Sequence, residues 1–342
     1  METIYETLCT SIDALCAQHR TEGIRKIDFG KSYLGRAIPA LQLGEGGHRL
    51  LYLGGMTGSV RTGALLMQFA RDYAQAQQDG MRVAGIDISY LRHTRCITVV
   101  PILNVDGAVL RCDGEDTGNP LLPRLLSMNE QTAKTADGEK NDTDNPFAHW
   151  VCSGRGVDLR CNFDADFADA MAQAHGIGGA GFPGMHPESE PECAAIAGYL
   201  RGAAATDLVL VFGDGADEAD GGCGRIAWCG SDHRTRSLAQ ILARDIDGRG
   251  YETDSVGRCG SLGSWYRTLH AGPLLNITLP RDPVRHPDDT AVPVCTEDYD
   301  CREHLHALIS HTCSSPGDTL MCAALALQYG KLRKMLFHGA VL

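Results

Sequence analysis

Several things are missing from this sequence, and each absence closes a door. Basic residues are in the minority: 31 lysines and arginines face 43 aspartates and glutamates, a formal net charge of −12. Nucleic-acid binders need a basic surface to displace counterions from phosphates, so that class is excluded. No apolar run reaches the roughly 18 residues that a membrane helix requires. The stretch from Met1 to Arg20 carries Glu2, Glu6, Asp13 and Arg20 and has no apolar core of a secretory signal, which predicts a cytoplasmic protein. Neither an internal repeat nor a linker divides the chain, so a single domain is expected over residues 1–342.

Cysteine is abundant, with 14 residues, but a dense framework and a repeated C-x-x-C are absent. In a reducing compartment such cysteines stay thiols. Two groups, Cys223, Cys229 and His233, and Cys301, His304, His311 and Cys313, lack a recognised zinc spacing. With 43% hydrophobic and 22% charged residues, the chain has the composition of an ordinary globular protein.

The apolar pattern predicts alternating elements. Ile4, Leu8, Ile12, Leu15 and Cys16 recur at helical spacing. Ala40 to Leu43 and Leu50 to Leu53 are short apolar runs around Gly44, Glu45, Gly46 and Gly47, the pattern of a hairpin. A loop with Gly54, Gly55 and Gly58 leads into a buried helix over Thr62 to Ala76. Cys96 to Leu103 is a continuous apolar run, as in a strand covered on both faces. Residues 113–149 form a long polar excursion broken by an apolar piece around Leu121 to Leu126. Glu190 to Gly202 and Ser237 to Asp247 are expected helices, and Leu208 to Phe212 and Leu274 to Leu279 expected strands. The alternation predicts an α/β fold: a mixed, mainly parallel sheet with helices on both faces.

Phrases in a fixed order carry a resemblance. They are Gly30-Lys-Ser-Tyr-Leu-Gly-Arg36, Val100-Pro-Ile-Leu-Asn-Val-Asp-Gly107, Trp150 with Gly156-Val-Asp-Leu159 and Asn162-Phe-Asp164, then Ser189-Glu-Pro-Glu192. Gly250-Tyr251 and Gly263-Ser-Trp265 follow. Over about residues 31–279 the chain resembles the zinc metallocarboxypeptidases, particularly the bacterial branch that trims cell-wall peptides. The resemblance implies the carboxypeptidase-like fold.

That family holds one zinc with two histidines and a glutamate, leaving a position for water. The H-x-x-E of its glycine loop corresponds here to Gly54-Gly-Met-Thr-Gly-Ser-Val-Arg61, so the resemblance puts Thr57 and Val60 at ligand positions. The third ligand position falls on Phe212 in Phe212-Gly-Asp-Gly215, with Asp214 the one nearby metal-binding side chain. The general base position carries Thr278, whose hydroxyl cannot accept a proton near neutrality. The oxyanion-stabilising cation position carries Val151, and the asparagine–arginine pair that grips the substrate carboxylate reads Arg160 and Cys161. Asp158 matches the aspartate that orients a zinc-bound histidine. Asn104, Asp106, Gly107, Ser189 and Glu192 read as turns and caps of the fold.

The expectation is a catalytically inactive relative that takes no cofactor and whose cleft serves binding or assembly, a peptide or cell-wall peptide being the partner that the resemblance implies. Arg160, Cys161, Arg61 and Asp214 are the candidate binding residues. Two alternatives stand beside it. One is an active metallocarboxypeptidase acting on peptides or peptidoglycan stem peptides, with zinc ligands elsewhere. The other is a different chemistry at Cys161, whose neighbour Arg160 would favour a thiolate. Tyr251 and Tyr266 are further candidates to line the cleft, although an aromatic near glycine is more often simply packed.

Overall fold

The computed structural model describes residues 2–20, 23–114, 118–135, 145–202, 206–213, 224–229, 232–246, 251–255, 259–269, 272–279, 302–312 and 315–341. Its strands are β1 (Ile24–Lys31), β2 (Ala37–Leu43), β3 (His48–Leu53), β4 (Arg82–Val83), β5 (Ile86–Asp87), β6 (Arg95–Val100), β7 (Thr206–Gly213), β8 (Gly224–Trp228), β9 (Tyr251–Ser255) and β10 (Leu274–Thr278). The helices are α1 (Ile4–Gln18), α2 (Val60–Gln78), α3 (Ile88–Thr94), α4 (Val105–Asp113), α5 (Leu122–Thr135), α6 (Phe167–Gln173), α7 (Pro191–Gly202), α8 (His233–Asp245), α9 (Leu262–Thr268), α10 (Arg302–Ser310) and α11 (Pro316–Val341).

Local chemistry starts the helices. At α1 the Thr3 hydroxyl accepts from the Glu6 amide while the Glu6 carboxylate accepts from the Thr3 amide at 2.7 Å. This reciprocal cap satisfies two amides that would otherwise lack a partner. Ile4, Leu8, Ile12 and Leu15 then fall on one buried stripe. Ser59 caps α2, and the Asn104 carboxamide oxygen accepts from Gly107 N at 2.8 Å to cap α4.

An eight-stranded sheet forms the centre, in the order β1-β2-β6-β3-β7-β10-β8-β9. The pairs β6–β3, β3–β7, β7–β10 and β8–β9 are parallel, and β1–β2, β2–β6 and β10–β8 antiparallel. Register sorts the side chains. Tyr52 is level with Leu210, and Phe212 with Ile277, so these share one face. There α2 and α11 cover them, through contacts such as Tyr52–Phe69 and Phe69–Phe337 at 5.3 and 5.0 Å between ring centroids. Leu51, Leu53, Thr98, Val211 and Thr278 line the opposite face. Tyr199 of α7 reaches it by a 2.9 Å bond to Thr98. The mixed, mainly parallel sheet with helices on both faces is the architecture expected.

The hairpin is not. β2 and β3 do not pair, because β6 lies between them. Instead of a two-strand turn, Gly44 to Gly47 wraps the start of β6: Glu45 N donates to Arg92 O at 2.8 Å and Gly46 N to Arg95 O at 3.0 Å. A Cβ on Gly46 would lie 1.8 Å from the Thr94 carbonyl carbon. The glycines serve close backbone approach rather than a tight reversal. The polar excursion also differs from its reading, since α5 occupies part of it and packs Leu125 beside Phe147 and Trp150.

Beyond the strands, the C-terminal helix closes the core. The Tyr52 hydroxyl donates to Leu336 O at 2.7 Å. Arg95 donates to Ala340 O and Val341 O at 2.8 and 2.6 Å, placing a cation on the negative end of α11.

Candidate functional site

From β3 the chain passes to β6 on one side, and β7 later returns to the other side of β3. Loops leaving the carboxyl ends of β3 and β7 therefore diverge, and such a switch point opens a crevice in α/β sheets. Leu53, Gly213 and Thr278 end the strands at this edge.

The glycine loop after β3 is held against the loop after β6. Leu103 N donates to Gly54 O, and Asn104 N to Gly55 O at 3.0 Å. Gly55 has φ +61°, and a Cβ there would lie 2.7 Å from Ile102 Cα. The Asn104 carboxamide donates to Met56 O at 3.3 Å and to Cys152 O at 3.0 Å. One buried side chain thus joins the loop of Thr57 to the segment of Val151. Its sequence reading as a cap is right but incomplete, since the two carbonyls lie far from it along the chain.

Asp158 is 1% exposed. Its Oδ1 accepts from Arg160 Nε at 2.9 Å, and its Oδ2 from Arg160 Nη2 at 2.7 Å and from Gly181 N at 2.8 Å. Burial works to raise the Asp158 pKa, but the guanidinium and these bonds outweigh it and hold the carboxyl below its ordinary range. Burial likewise works to lower the Arg160 pKa, and the Asp158 charge outweighs it, raising it. The pair is a charged fork. The Arg160 side chain remains 40% exposed.

The other expected positions are set differently. Val60 is 3% exposed and Phe212 2%, and the Phe212 ring lies 6.3 Å from Tyr52 on the face covered by α2 and α11. Thr278 is half-buried and level with Gly213 and Arg225, on the other face from Phe212. Thr57, Val151 and Cys161 are half-buried. Arg61 Nε donates to Gln328 Oε1 at 2.9 Å, which ties it to α11. Tyr266 is buried and its hydroxyl donates to Thr206 O at 3.2 Å, at the far end of β7 from the crevice, so of its two readings simple packing is the one that holds.

Asp214, Cys223, Cys301 and Cys313 lie outside the described residues, as do the side chains of Tyr251 and His304. Cys229 packs at Ser264, 4.0 Å from its hydroxyl, and His233 Nδ1 lies 3.4 Å from the Ser237 hydroxyl. One H-x-x-E spacing does occur in the chain, from His19 to Glu22, but His19 is buried at the end of α1 and Glu22 is outside the described residues. Among the described residues no group of three or more His, Cys, Asp or Glu side chains is arranged to hold a metal ion.

A second polar constellation supports the crevice from beneath. Glu190 is 0% exposed and accepts from Ser153 Oγ at 2.9 Å and from Arg155 Nη2 at 2.6 Å. Asn162 donates to Pro183 O and Ser189 Oγ, and accepts from Glu190 N at 3.0 Å. The sequence signals for this network are the Asn162-Phe-Asp164 and Ser189-Glu-Pro-Glu192 phrases, which do not name its partners.

A model of a family described as zinc carboxypeptidase matches residues 11–213, more than half of the chain. Among curated proteins the chain is similar to gamma-D-glutamyl-L-diamino acid endopeptidase 1 of Lysinibacillus sphaericus, 25% identical over 175 residues, which is 51% of this chain and 41% of that relative. The match spans less than half the length of the relative. Among solved structures it is similar to thrombin-activatable fibrinolysis inhibitor, with TM-score 0.59 and 13% identity over 99% of this chain and 74% of that one. A metallo-carboxypeptidase from Burkholderia cenocepacia gives TM-score 0.53 and 13% identity over 88% and 66% of the two chains. At such identities the structural likeness shows the fold.

The expectation that no cofactor is taken is corrected here. The matched family is one of zinc enzymes and one structural neighbour is named a metallo-carboxypeptidase, so zinc is the cofactor this family implies. The residues that the resemblance puts at the ligand positions do not fit that ion. A threonine, a buried valine and a buried phenylalanine supply none of the imidazole or carboxylate donors that zinc takes.

Proposed function

Because the chain belongs to the zinc carboxypeptidase family, we propose that it keeps the family's crevice as a binding site for a peptide carboxylate and has given up the family's hydrolysis. The Asp158–Arg160 fork carries this reading. Asp158, left without the histidine it orients in the family, grips Arg160 by two charged bonds. That fixes a partly exposed guanidinium whose Nη1 has no partner among the described residues. A preorganised guanidinium suits planar carboxylate recognition. Thr278 at the base position and Val151 at the cation position favour binding over turnover, since neither moves a proton nor stabilises an oxyanion.

The ligand class follows from the curated relative: a peptide containing a γ-D-glutamyl–diamino acid unit, as in cell-wall peptides. The thiols of the described cysteines fit a cytoplasmic setting.

The test is a calorimetric titration of the full chain with a γ-D-glutamyl-diamino acid peptide, beside a hydrolysis assay with zinc supplied. Saturable binding, weakened at least about tenfold in Arg160→Ala by loss of a charged contact, together with intact peptide is expected. Cleavage that a chelator stops and zinc restores would overturn the loss of hydrolysis. Binding unchanged in Arg160→Ala would overturn the role of the fork.

A further inference from the structure

The turn joining β1 to β2 rests on three buried carboxyl groups from different parts of the chain. Asp106, 1% exposed, accepts from Ser32 Oγ at 2.9 Å, from Leu34 N at 2.9 Å and from Arg36 Nη1 at 2.6 Å. Glu190 accepts from Ser153 and Arg155, and Arg155 lies over the Tyr33 ring at 4.8 Å. Glu192, 0% exposed in the first turn of α7, accepts through Oε1 from Tyr33 N at 3.1 Å. Its Oε2 is buried with no hydrogen-bond partner among the described residues.

The charges do not balance if all three acids ionise. Arg36 pairs with Asp106 and Arg155 with Glu190, and among the described residues no cation pairs with Glu192. The titratable groups around it are Tyr33 and Arg36 of the turn, Asp106 of α4, Arg155 and Glu190 before α7, and Cys193 beside it. A third buried carboxylate among these would stand without a counter-charge, which proteins avoid by neutralising the group.

We propose that Glu192 is stored as a neutral acid beneath the β1–β2 turn, and that loss of its proton unlatches this turn from α4 and α7, making the fold locally sensitive to mildly alkaline pH. With Oε1 accepting the Tyr33 amide, the proton sits on Oε2. Burial first, then the neighbouring charges of Asp106 and Glu190, push the Glu192 carboxyl up to about 8. Ionisation leaves Oε2 charged, undonated and beside two carboxylates. The relief is to swing the turn outward, which breaks the Tyr33 amide bond and lifts Tyr33 from Arg155. The latch is independent of what the crevice binds.

Hydrogen exchange of the full chain, followed by mass spectrometry from pH 6 to 10 and normalised for intrinsic rates, tests this. Protection of the Tyr33 and Leu34 amides is expected to fall by up to about tenfold per pH unit as pH rises toward about 8 and to level off above it, while the amides of β3 hold. Glu192→Gln, which keeps the shape and cannot ionise, is expected to abolish that fall. Constant protection in the wild type, or an unchanged fall in Glu192→Gln, would overturn the latch. Should that variant fail to fold, infrared spectra of the wild type decide: a protonated carboxylic C=O band at pH 7 that vanishes toward pH 9 supports the proposal, and its absence sinks it.

Discussion

The crevice edge and the polar ground beneath it have been treated differently. At the edge, the positions that resemble ligands, base and electrophile carry Thr57, Val60, Phe212, Thr278 and Val151. Beneath it, Asn104, Asp106, Asn162, Glu190 and Glu192 form a buried network with partners on the β1–β2 turn, α4 and the loops before α7. Groups that hold backbone in place are costly to remove, because each loss strands several buried donors. Groups that only face a reacting ligand strand nothing in the fold.

Four measurements sharpen this contrast, beginning with one that cuts across it. Phe212, which the resemblance puts at a ligand position, belongs to the core. Phe212→Ala is expected to cost about 3–5 kcal/mol in urea unfolding, through the cavity left against Tyr52. In the network beneath, Glu190→Ala is expected to cost about 2–3 kcal/mol, less than a fully buried pair because Arg155 is 37% exposed and can rehydrate.

The third is a pH profile. The folded pKa of Glu192 is raised, so the native state holds a proton that the unfolded chain releases. Its contribution to stability is complete below the ordinary carboxyl range and is lost as pH rises toward about 8. Stability should decline over that window in the wild type and decline less in Glu192→Gln, as followed by urea midpoints at successive pH values. The smallest effect is expected at the edge. Thr278→Val should change stability by less than about 0.5 kcal/mol, and a loss above about 1.5 kcal/mol would show that Thr278 belongs to the foundation instead.

Legibility followed the range of the interactions. α1, α2, α7, α8, β7 and β10 were readable because periodicity and caps are local signals. Gly44 to Gly47 misled because a glycine cluster looks alike whether it makes a hairpin or, as here, lets β6 enter between β2 and β3. α5 was hidden in a polar stretch because one apolar side, with Leu125 on Phe147 and Trp150, suffices to hold it. That Thr57, Val60 and Phe212 carry no imidazole or carboxylate could be read from residue identity alone. That Arg160 turns onto Asp158, Arg61 onto Gln328 and Tyr266 away from the crevice could not.

By itself, then, the sequence determined the α/β class, the family, and which side chains are present for chemistry, because these depend on local pattern and on the atoms each residue carries. The tertiary structure decided strand order, which face each replaced residue occupies, and which charges meet. Those depend on register and on long-range pairing: a shift of one position moves Thr278 to the opposite face from Phe212, and only packing brings Asp106, Glu190 and Glu192 under one turn with two arginines for three acids.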